Sequence, residues 1–294
     1  MAPPLLRRYL AAQALAIAAF GLVPVEGWLH VAWQVAVGWA AALSVLVGVR
    51  RFRPATAVAW YALAAGVFLN ASGLLAERIG EHFFHAMESP NLGDVFFLGI
   101  FPCFVVGLGT LVWRRSAGEN LPSVLLHTLL SALVASALSL VAWEFIVWQT
   151  HTDPTLRLAK RLILTAYPLG DLVLLALMLR LLLAGSARNI AFVLVVLSMC
   201  FFLGADIGWA GILRQGIQPG PQARRLLEMT SMGAFVLVGA AALHPSVQSV
   251  GRLEGQPESG WAGVRWAALV VSIVTAPVVL ATQAFLDGWY SLSF

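Results

Sequence analysis

Long apolar runs separated by short polar segments make up most of this chain of 294 residues. Most runs reach about 18 residues or more, the length that an α-helix needs to cross the hydrocarbon core of a bilayer. We count nine candidate spans, or eight if the first is not a full span. Their predicted ranges are residues 5–23, 28–49, 56–79, 94–113, 122–148, 161–183, 189–213, 224–243 and 262–286. The pattern therefore predicts an all-α fold, a polytopic bundle of membrane helices.

Composition identifies the environment of these helices. Hydrophobic residues make up 60% of the chain and charged residues 11%, against roughly 45–50% and about 25% in soluble domains. The longest polar segment, 244–261, has the composition of a flexible connector, so we interpret 1–294 as a single integral membrane domain. The basic residues form short clusters between the apolar runs, and no nucleotide-binding motif is present, so we expect no nucleic-acid partner.

Arginine positions predict the orientation of the chain. Arg7 and Arg8 lie at the beginning of the first span, which places the N-terminus in the cytoplasm. The arginines that then fall on the same side are Arg50, Arg51, Arg53, Arg114, Arg115, Arg180, Arg188 and Arg252. The Arg224–Arg225 pair falls on the opposite side and weakens this bias. No small-x-small cleavage site follows the first run, so we expect no cleaved signal peptide and a multi-pass protein of the cell membrane.

The most informative polar residue is Asp171, in the middle of the sixth apolar run. A carboxylate at the bilayer centre costs about 2.5–3.5 kcal/mol on insertion scales, so its default interpretation is functional. Pro168 and Gly170 precede it, and we expect them to kink the helix and to open space for a substrate beside the acid. The alternative is a structural pairing of Asp171 with Tyr167 or Asn70.

The other acids in or beside the apolar runs share the outer half of the membrane in this topology. A polar-lined pocket that opens toward one leaflet would produce such a distribution. These acids are Glu26, Glu77, Glu81, Asp94, Glu144, Asp206 and Glu228. An interfacial position is the alternative for those nearest the span ends.

Aromatic residues accompany the deeper acids at helical spacing. Residues three or four apart share a helix face, so a ring can desolvate the acid or stabilise a passing cation. The rings are Tyr167 beside Asp171, Phe202 and Trp209 beside Asp206, Trp143 and Trp148 beside Glu144, and Phe97 beside Asp94. The alternative for the tryptophans is the aromatic belt at the bilayer interface.

The densest polar cluster is the segment 77–88 at the outer end of the third span. A helix would align Glu77, Glu81 and His85 on one face, a spacing compatible with a metal ion. No second Glu-x-x-His motif is present to complete such a site. We therefore prefer a solvated helix end and predict no metal and no cofactor.

Five short motifs carry a resemblance to known families. They are Ala59-Trp-Tyr-Ala-Leu-Ala-Ala-Gly66, Pro90-Asn-Leu-Gly-Asp-Val-Phe-Phe-Leu98, Ala166-Tyr-Pro-Leu-Gly-Asp171, Ala205-Asp-Ile-Gly-Trp209 and Ala242-Leu-His-Pro-Ser246. In this order they resemble the N-terminal membrane region of actinobacterial GGDEF/EAL signalling proteins, although no GGDEF or EAL segment follows them here. The same region is similar to the small stand-alone bacterial membrane terpene cyclases of indole-terpenoid (drimentine- and xiamycin-type) pathways.

The resemblance to the cyclases implies cyclisation of a farnesyl chain that begins with protonation, without diphosphate loss or obligatory magnesium. We therefore expect a membrane-embedded terpene cyclase acting on a prenylated indole or a related lipophilic substrate that enters from the bilayer. A buried carboxylic acid would be the proton donor, and aromatic faces would stabilise the carbocations. The candidate acids are Asp171 and Asp206, then Glu144, Asp94 and Glu77; the candidate lining residues are Tyr167, Phe202, Trp209, Trp143, Phe97 and Trp148.

Two other function classes stay open. The resemblance to the signalling proteins implies a ligand-sensing membrane domain without catalysis, in which the same acids bind a small polar signal or hold helices together. A proton-coupled transporter is the third possibility, and the lack of a clear inverted repeat argues against it.

Overall fold

The computed structural model describes residues 3–25, 27–85, 90–116, 157–183, 189–214 and 220–250, with several helical positions between 122 and 134. Within these residues the structure is helical and contains no strand, which confirms the all-α prediction. The long helices are α1 (Pro4–Phe20), α2 (Trp28–Phe52), α3 (Ala57–Phe84), α4 (Leu92–Ser116), α5 (Leu158–Leu183), α6 (Ile190–Arg214) and α7 (Pro221–Leu243). A 3₁₀ helix, Pro245–Ser249, follows α7.

Among the described residues, the helices α2 to α7 are long and apolar enough to cross a membrane, which is the character of a multi-pass membrane protein. α1 is not one of these six candidates. Its 17 residues extend only about 26 Å at 1.5 Å per residue, less than the roughly 30 Å of the hydrocarbon core. The count of nine spans is not confirmed, because span 262–286 and most of span 122–148 lie outside the described residues.

The helices α2 and α3 each end at a residue in the left-handed backbone conformation. α2 ends where Arg53 adopts a left-handed conformation with φ of 46°, and Pro54 follows it. α3 ends in the same way at His85, with φ of 52°, a common form of helix termination. The predicted helical alignment of His85 with Glu77 and Glu81 therefore does not form. Among the described residues, no three His, Cys, Asp or Glu side chains are placed so that they could hold a metal ion together.

The six apolar helices form a closed ring in which α2, α3, α4, α5, α6 and α7 each contact the next, and α7 returns to α2. Side chains from all six helices fill the centre of this ring. They include Val45, Trp60, Phe104, Leu174, Phe202 and Phe235. α1 lies outside the ring against α7 and α2, where the Tyr9 hydroxyl donates a hydrogen bond to the Val236 carbonyl at 3.1 Å.

Small residues allow the closest contacts of α2 with its neighbours. A Cβ atom on Gly48 would lie 2.6 Å from the carbonyl carbon of Ala242 on α7. A Cβ atom on Gly38 would lie 2.6 Å from the Cβ of Ala71 on α3. Both distances are shorter than van der Waals contact, so glycine is required at each position. Close backbone approach at small residues is typical of membrane helices.

Two arginines that the sequence places in cytoplasmic loops are buried within the helices instead. Arg115 of α4 is 1% exposed and Arg180 of α5 is 7% exposed. Arg180 Nη2 donates a hydrogen bond to Ser116 Oγ at 2.8 Å, and the Arg115 guanidinium lies 4.1 Å from the centre of the Phe192 ring. These contacts join the neighbouring ends of α4, α5 and α6 by hydrogen bonding and cation–π attraction.

Candidate functional site

Four of the acids selected from the sequence lie in one group, with one acid on each of α3, α4, α5 and α6. Asp171 of α5 is adjacent to Asp206 of α6. The Tyr167 hydroxyl of α5 donates a hydrogen bond to Asp94 of α4 at 2.8 Å, and Glu77 of α3 and Asp206 are close enough for their charges to act on Tyr167. Because α3, α4, α5 and α6 pack side by side in the ring, four acids that are far apart in sequence come together. We call these five residues the acid group.

Asp171 and Asp206 form a pair of neighbouring carboxyls within the acid group. Asp171 Oδ1 is fully buried and accepts no hydrogen bond from a donor among the described residues. The Asp206 carboxyl is within hydrogen-bonding reach of the Asp171 side chain. Two ionised carboxylates offer only acceptors, so a hydrogen bond between them requires a proton on one of the two. The arrangement can therefore hold a proton inside the helical bundle.

A capping box fixes Asp94 at the beginning of α4. The Asn91 backbone N–H donates to Asp94 Oδ2 at 2.8 Å, and the Asp94 backbone N–H donates to Asn91 Oδ1 at 3.2 Å. This reciprocal pairing satisfies two N–H groups that a helix start leaves without partners. The Tyr167 hydroxyl donates to the other oxygen, Asp94 Oδ1, at 2.8 Å. Because both of its oxygens accept hydrogen bonds, Asp94 is suited to positioning Tyr167 rather than to donating the first proton.

Glu77, the member of the acid group on α3, lies beside Gly93 of α4. A Cβ atom on Gly93 would lie 2.9 Å from the Cβ of Glu77, so the glycine lets α3 and α4 approach at this level. The charged neighbours of Glu77 include Glu81, on its own helix, and Arg224 of α7. Glu81 accepts a hydrogen bond from Arg78 at 3.1 Å.

Aromatic rings approach the acid group from α4 and α6. The Phe101 ring meets the Tyr167 ring edge-on, with centres 6.2 Å apart. The Phe104 and Phe202 rings lie 5.5 Å apart, and Phe202 is one turn before Asp206 on α6. Phe101 also occupies the space that a Cβ on Gly170 would need. α5 continues as one helix through its internal proline, and an aromatic ring fills the room beside the glycine.

Of the remaining candidate residues, Phe97 and Trp209 are described by the structure and the others are not. Phe97 lies one turn after Asp94, and its ring packs against Gly73 of α3. Trp209 is half-buried one turn after Asp206 on α6. The candidates Glu144, Trp143 and Trp148 lie outside the described residues, as does Glu26.

A buried ionic network at the beginning of α2 and α7 was missed by sequence reasoning. Glu228, for which an interfacial position was the alternative interpretation, is only 8% exposed. One of its oxygens accepts a hydrogen bond from His30 Nε2 at 2.9 Å, and the other accepts one from Arg224 Nε at 3.0 Å. His30 is 1% exposed. A histidine near the start of an apolar run was the available signal, because a polar side chain there needs a partner.

Comparison of this chain with protein-family models, with curated proteins and with solved structures gives no match. The candidate site is therefore defined by its own geometry, and the two sequence resemblances stay predictions.

Proposed function

We propose that the protein is a membrane-embedded terpene cyclase, which protonates the farnesyl chain of a prenylated indole or related lipophilic substrate and returns an isomer. The observation that carries this proposal is the Asp171–Asp206 pair: one Asp171 oxygen is buried without a hydrogen-bond donor among the described residues, and the Asp171 carboxyl lies near that of Asp206. A positioned carboxylic acid in an apolar surrounding is suited to general-acid catalysis. The cell membrane is the proposed location, with the N-terminus in the cytoplasm.

The proposed reaction returns its proton to the enzyme. One carboxyl of the pair transfers a proton to a terminal alkene or epoxide of the substrate, and a carbocation forms. Attack by the next double bond closes a ring and moves the positive charge along the chain. Loss of a proton from carbon to the carboxylate forms the final double bond and restores the pair. The product has the mass of the substrate, and the reaction consumes no cofactor.

The aromatic side chains supply the second requirement of this chemistry, which is stabilisation of positive charge. The Phe101 ring packs against Tyr167, and the Phe104 ring packs against Phe202, which lies one turn before Asp206 on α6. A cation over an aromatic face gains about 0.5–2 kcal/mol when it is shielded from water. Apolar rings also contain no nucleophile that would trap the carbocation.

The test is incubation of the purified full chain in detergent with a farnesylated indole, followed by chromatography for a product of equal mass. Asp171→Asn keeps the shape of the side chain and can donate a hydrogen bond to Asp206, but it removes the acid. We expect turnover to fall by about 10²- to 10⁴-fold, the usual contribution of a general acid. Asp206→Asn should have an effect in the same range.

The matched control is Glu81→Gln, which removes another carboxyl of the bundle. Glu81 is 35% exposed and pairs with Arg78, outside the Asp171–Asp206 pair, so turnover should stay near that of the wild type. Full activity in Asp171→Asn would exclude this acid as the proton donor. No isomer from any prenylated substrate would refute the cyclase proposal and favour the ligand-sensing alternative.

A further inference from the structure

An open pocket lies where α2 ends and α3 begins. Its volume is about 350 Å³, which is enough for a small polar headgroup. Two cationic side chains, a phenol hydroxyl and an apolar wall line it. In that order the lining residues are Arg50, Arg53, Tyr61, Val49, Pro54 and Ala57, which we call the arginine pocket.

The two arginines of the pocket are available to a ligand. Arg50 and Arg53 are exposed, and among the described residues no carboxylate forms an ion pair with either of them. A guanidinium group is planar and always charged, and two of its N–H groups match two oxygens of a phosphate. The Tyr61 hydroxyl in the same pocket can donate a further hydrogen bond. The arginine pocket therefore has the chemistry of a phosphate site.

The backbone that carries these arginines is held in place. Arg53 has a φ of 46°, a left-handed conformation that is uncommon for residues other than glycine. Its N–H donates to the Val49 carbonyl at 2.8 Å, and Gln248 Nε2 donates to the Phe52 carbonyl at 2.7 Å. Pro54 follows with a φ fixed by its ring. A ligand meets an ordered backbone here, which lowers the entropy lost on binding.

Exposed apolar side chains extend from the pocket along the surface of α2. Leu43 and Val47 are exposed and share a face of α2 with Arg50, because they follow one another at helical spacing. At the far end of this stripe the Trp39 ring stacks on the Phe68 ring of α3, with centres 5.6 Å apart. From Trp39 to Arg50 the stripe is about 16 Å long at 1.5 Å per residue. This length is close to half of the roughly 30 Å hydrocarbon core, the depth of one leaflet.

We propose that the arginine pocket binds the phosphate of an anionic phospholipid, with an acyl chain of that lipid along the stripe from Val47 to Trp39. Both α2 and α3 are long and apolar enough to span a membrane, so the short loop between them lies at the level of the headgroups. Basic pockets at that level attract anionic headgroups. The arginine bias predicts that this leaflet is the cytoplasmic one.

The stripe favours a lipid over a soluble phosphate, because a free ion would use the arginines and leave the apolar side chains uncovered. The site lies apart from the acid group, since Ala57 and Glu77 are about 30 Å apart along α3 at 1.5 Å per residue. The proposal therefore goes beyond the proposed function and does not depend on it.

The test is native mass spectrometry of the full chain in detergent, titrated with dioleoylphosphatidylglycerol or with dioleoylphosphatidylcholine, whose headgroup has no net charge. We expect the anionic lipid to bind roughly tenfold more tightly or better. Arg50→Gln/Arg53→Gln should weaken its binding by roughly 30-fold, because each arginine near an anionic lipid contributes about a fivefold factor. Arg50→Gln alone should weaken it about fivefold. Arg50 is exposed on α2, so this single variant keeps the test valid where the double variant does not fold.

Arg51→Gln is the matched control. It removes the same charge from the same helix end, but Arg51 lies over the Phe52 ring at 5.7 Å and does not line the pocket, so binding should stay near that of the wild type. Equal weakening in Arg51→Gln would overturn the proposal, because surface charge in general would then explain the binding. Unchanged binding in Arg50→Gln, or equal affinity for the two lipids, would overturn it as well.

Inorganic phosphate and glycerol 3-phosphate, added as competitors, separate the two sources of a phosphate group. Neither should displace the bound lipid at the concentration of the lipid itself, because neither has an acyl chain to cover the stripe. Displacement by inorganic phosphate at that concentration would overturn the assignment to a lipid.

Discussion

Removing the Glu228 side chain tests whether the buried ionic network holds α2 and α7 together. In Glu228→Ala, the His30 Nε2 hydrogen bond at 2.9 Å and the Arg224 Nε hydrogen bond at 3.0 Å are both lost. His30 is 1% exposed, and its Nδ1 has no partner among the described residues. The substitution would therefore leave the buried imidazole without a described partner at either nitrogen.

The hydrogen bonds of Glu228 with His30 and with Arg224 contribute unequally to the expected loss in the free energy of unfolding. A buried hydrogen bond to a charged group is worth about 1.5–3 kcal/mol, and this applies to His30. The Arg224 side chain is 42% exposed, so water compensates most of its loss and about 0–1 kcal/mol remains. We expect Glu228→Ala to lower the free energy of unfolding by about 1.5–4 kcal/mol.

Glu81→Ala is the matched control for this substitution. It also removes a glutamate that pairs with an arginine nearby on its own helix, at 3.1 Å, but both side chains are about one-third exposed. Exposed ion pairs contribute about 0–1 kcal/mol, so this variant should lose no more than that. The difference between the two variants measures the effect of burial.

The assay is equilibrium unfolding in mixed detergent micelles, measured for both variants, for His30→Ala and for the double variant His30→Ala/Glu228→Ala. If the hydrogen bond carries the effect, the double variant will be clearly less destabilised than the sum of the single variants. Equal losses in Glu228→Ala and Glu81→Ala would refute the argument from burial. Strict additivity of His30→Ala and Glu228→Ala would refute the argument from the hydrogen bond.

Three further predictions concern packing, capping and pH. Gly48→Ala should destabilise the bundle by about 1–3 kcal/mol in detergent unfolding, because the new Cβ overlaps the Ala242 backbone. Gly109 has open space around it, so Gly109→Ala should not destabilise the bundle, and equal losses in the two variants would contradict the role of the Gly48–Ala242 contact. Asn91→Ala should cost about 1 kcal/mol through loss of the α4 cap, and no shift of the thermal midpoint would contradict this. Burial lowers the pKa of His244, so the unfolded chain binds this proton more tightly and stability should fall as the pH drops below about 6.5. His244→Gln should remove this part of the pH dependence, and an unchanged profile would exclude His244 as its source.

Apolar length alone predicted the positions of the helices from α2 to α7. The predicted spans 161–183 and 224–243, for example, correspond to α5 (Leu158–Leu183) and α7 (Pro221–Leu243). The ends were less accurate: the first predicted span continues to Val23 whereas α1 ends at Phe20, and the third ends at residue 79 whereas α3 continues to Phe84. An apolar run shows which residues can lie in a membrane, but the end of a helix depends on the local backbone conformation.

The candidate acids were predictable one at a time, and their partners were not. The cost of a carboxylate in an apolar run identified Asp171 and Asp206 without any knowledge of the fold. The capping role of Asp94 could have been read from Asn91-x-x-Asp94, a local pattern. The contact of Asp171 with Asp206 depends on α5 lying beside α6, which no spacing within either helix encodes.

The sequence by itself determined that this chain forms apolar helices with costly acids inside them, because helix formation and the cost of desolvating a charge depend on each residue and its near neighbours. Only the tertiary structure decided that Asp171 lies against Asp206, that Tyr167 donates to Asp94 and that Glu228 is buried with His30. These contacts join residues on different helices, and close packing at positions such as Gly48 and Gly93 sets which helices meet and at what level. Side-chain partners follow from that packing, and a one-dimensional pattern does not contain it.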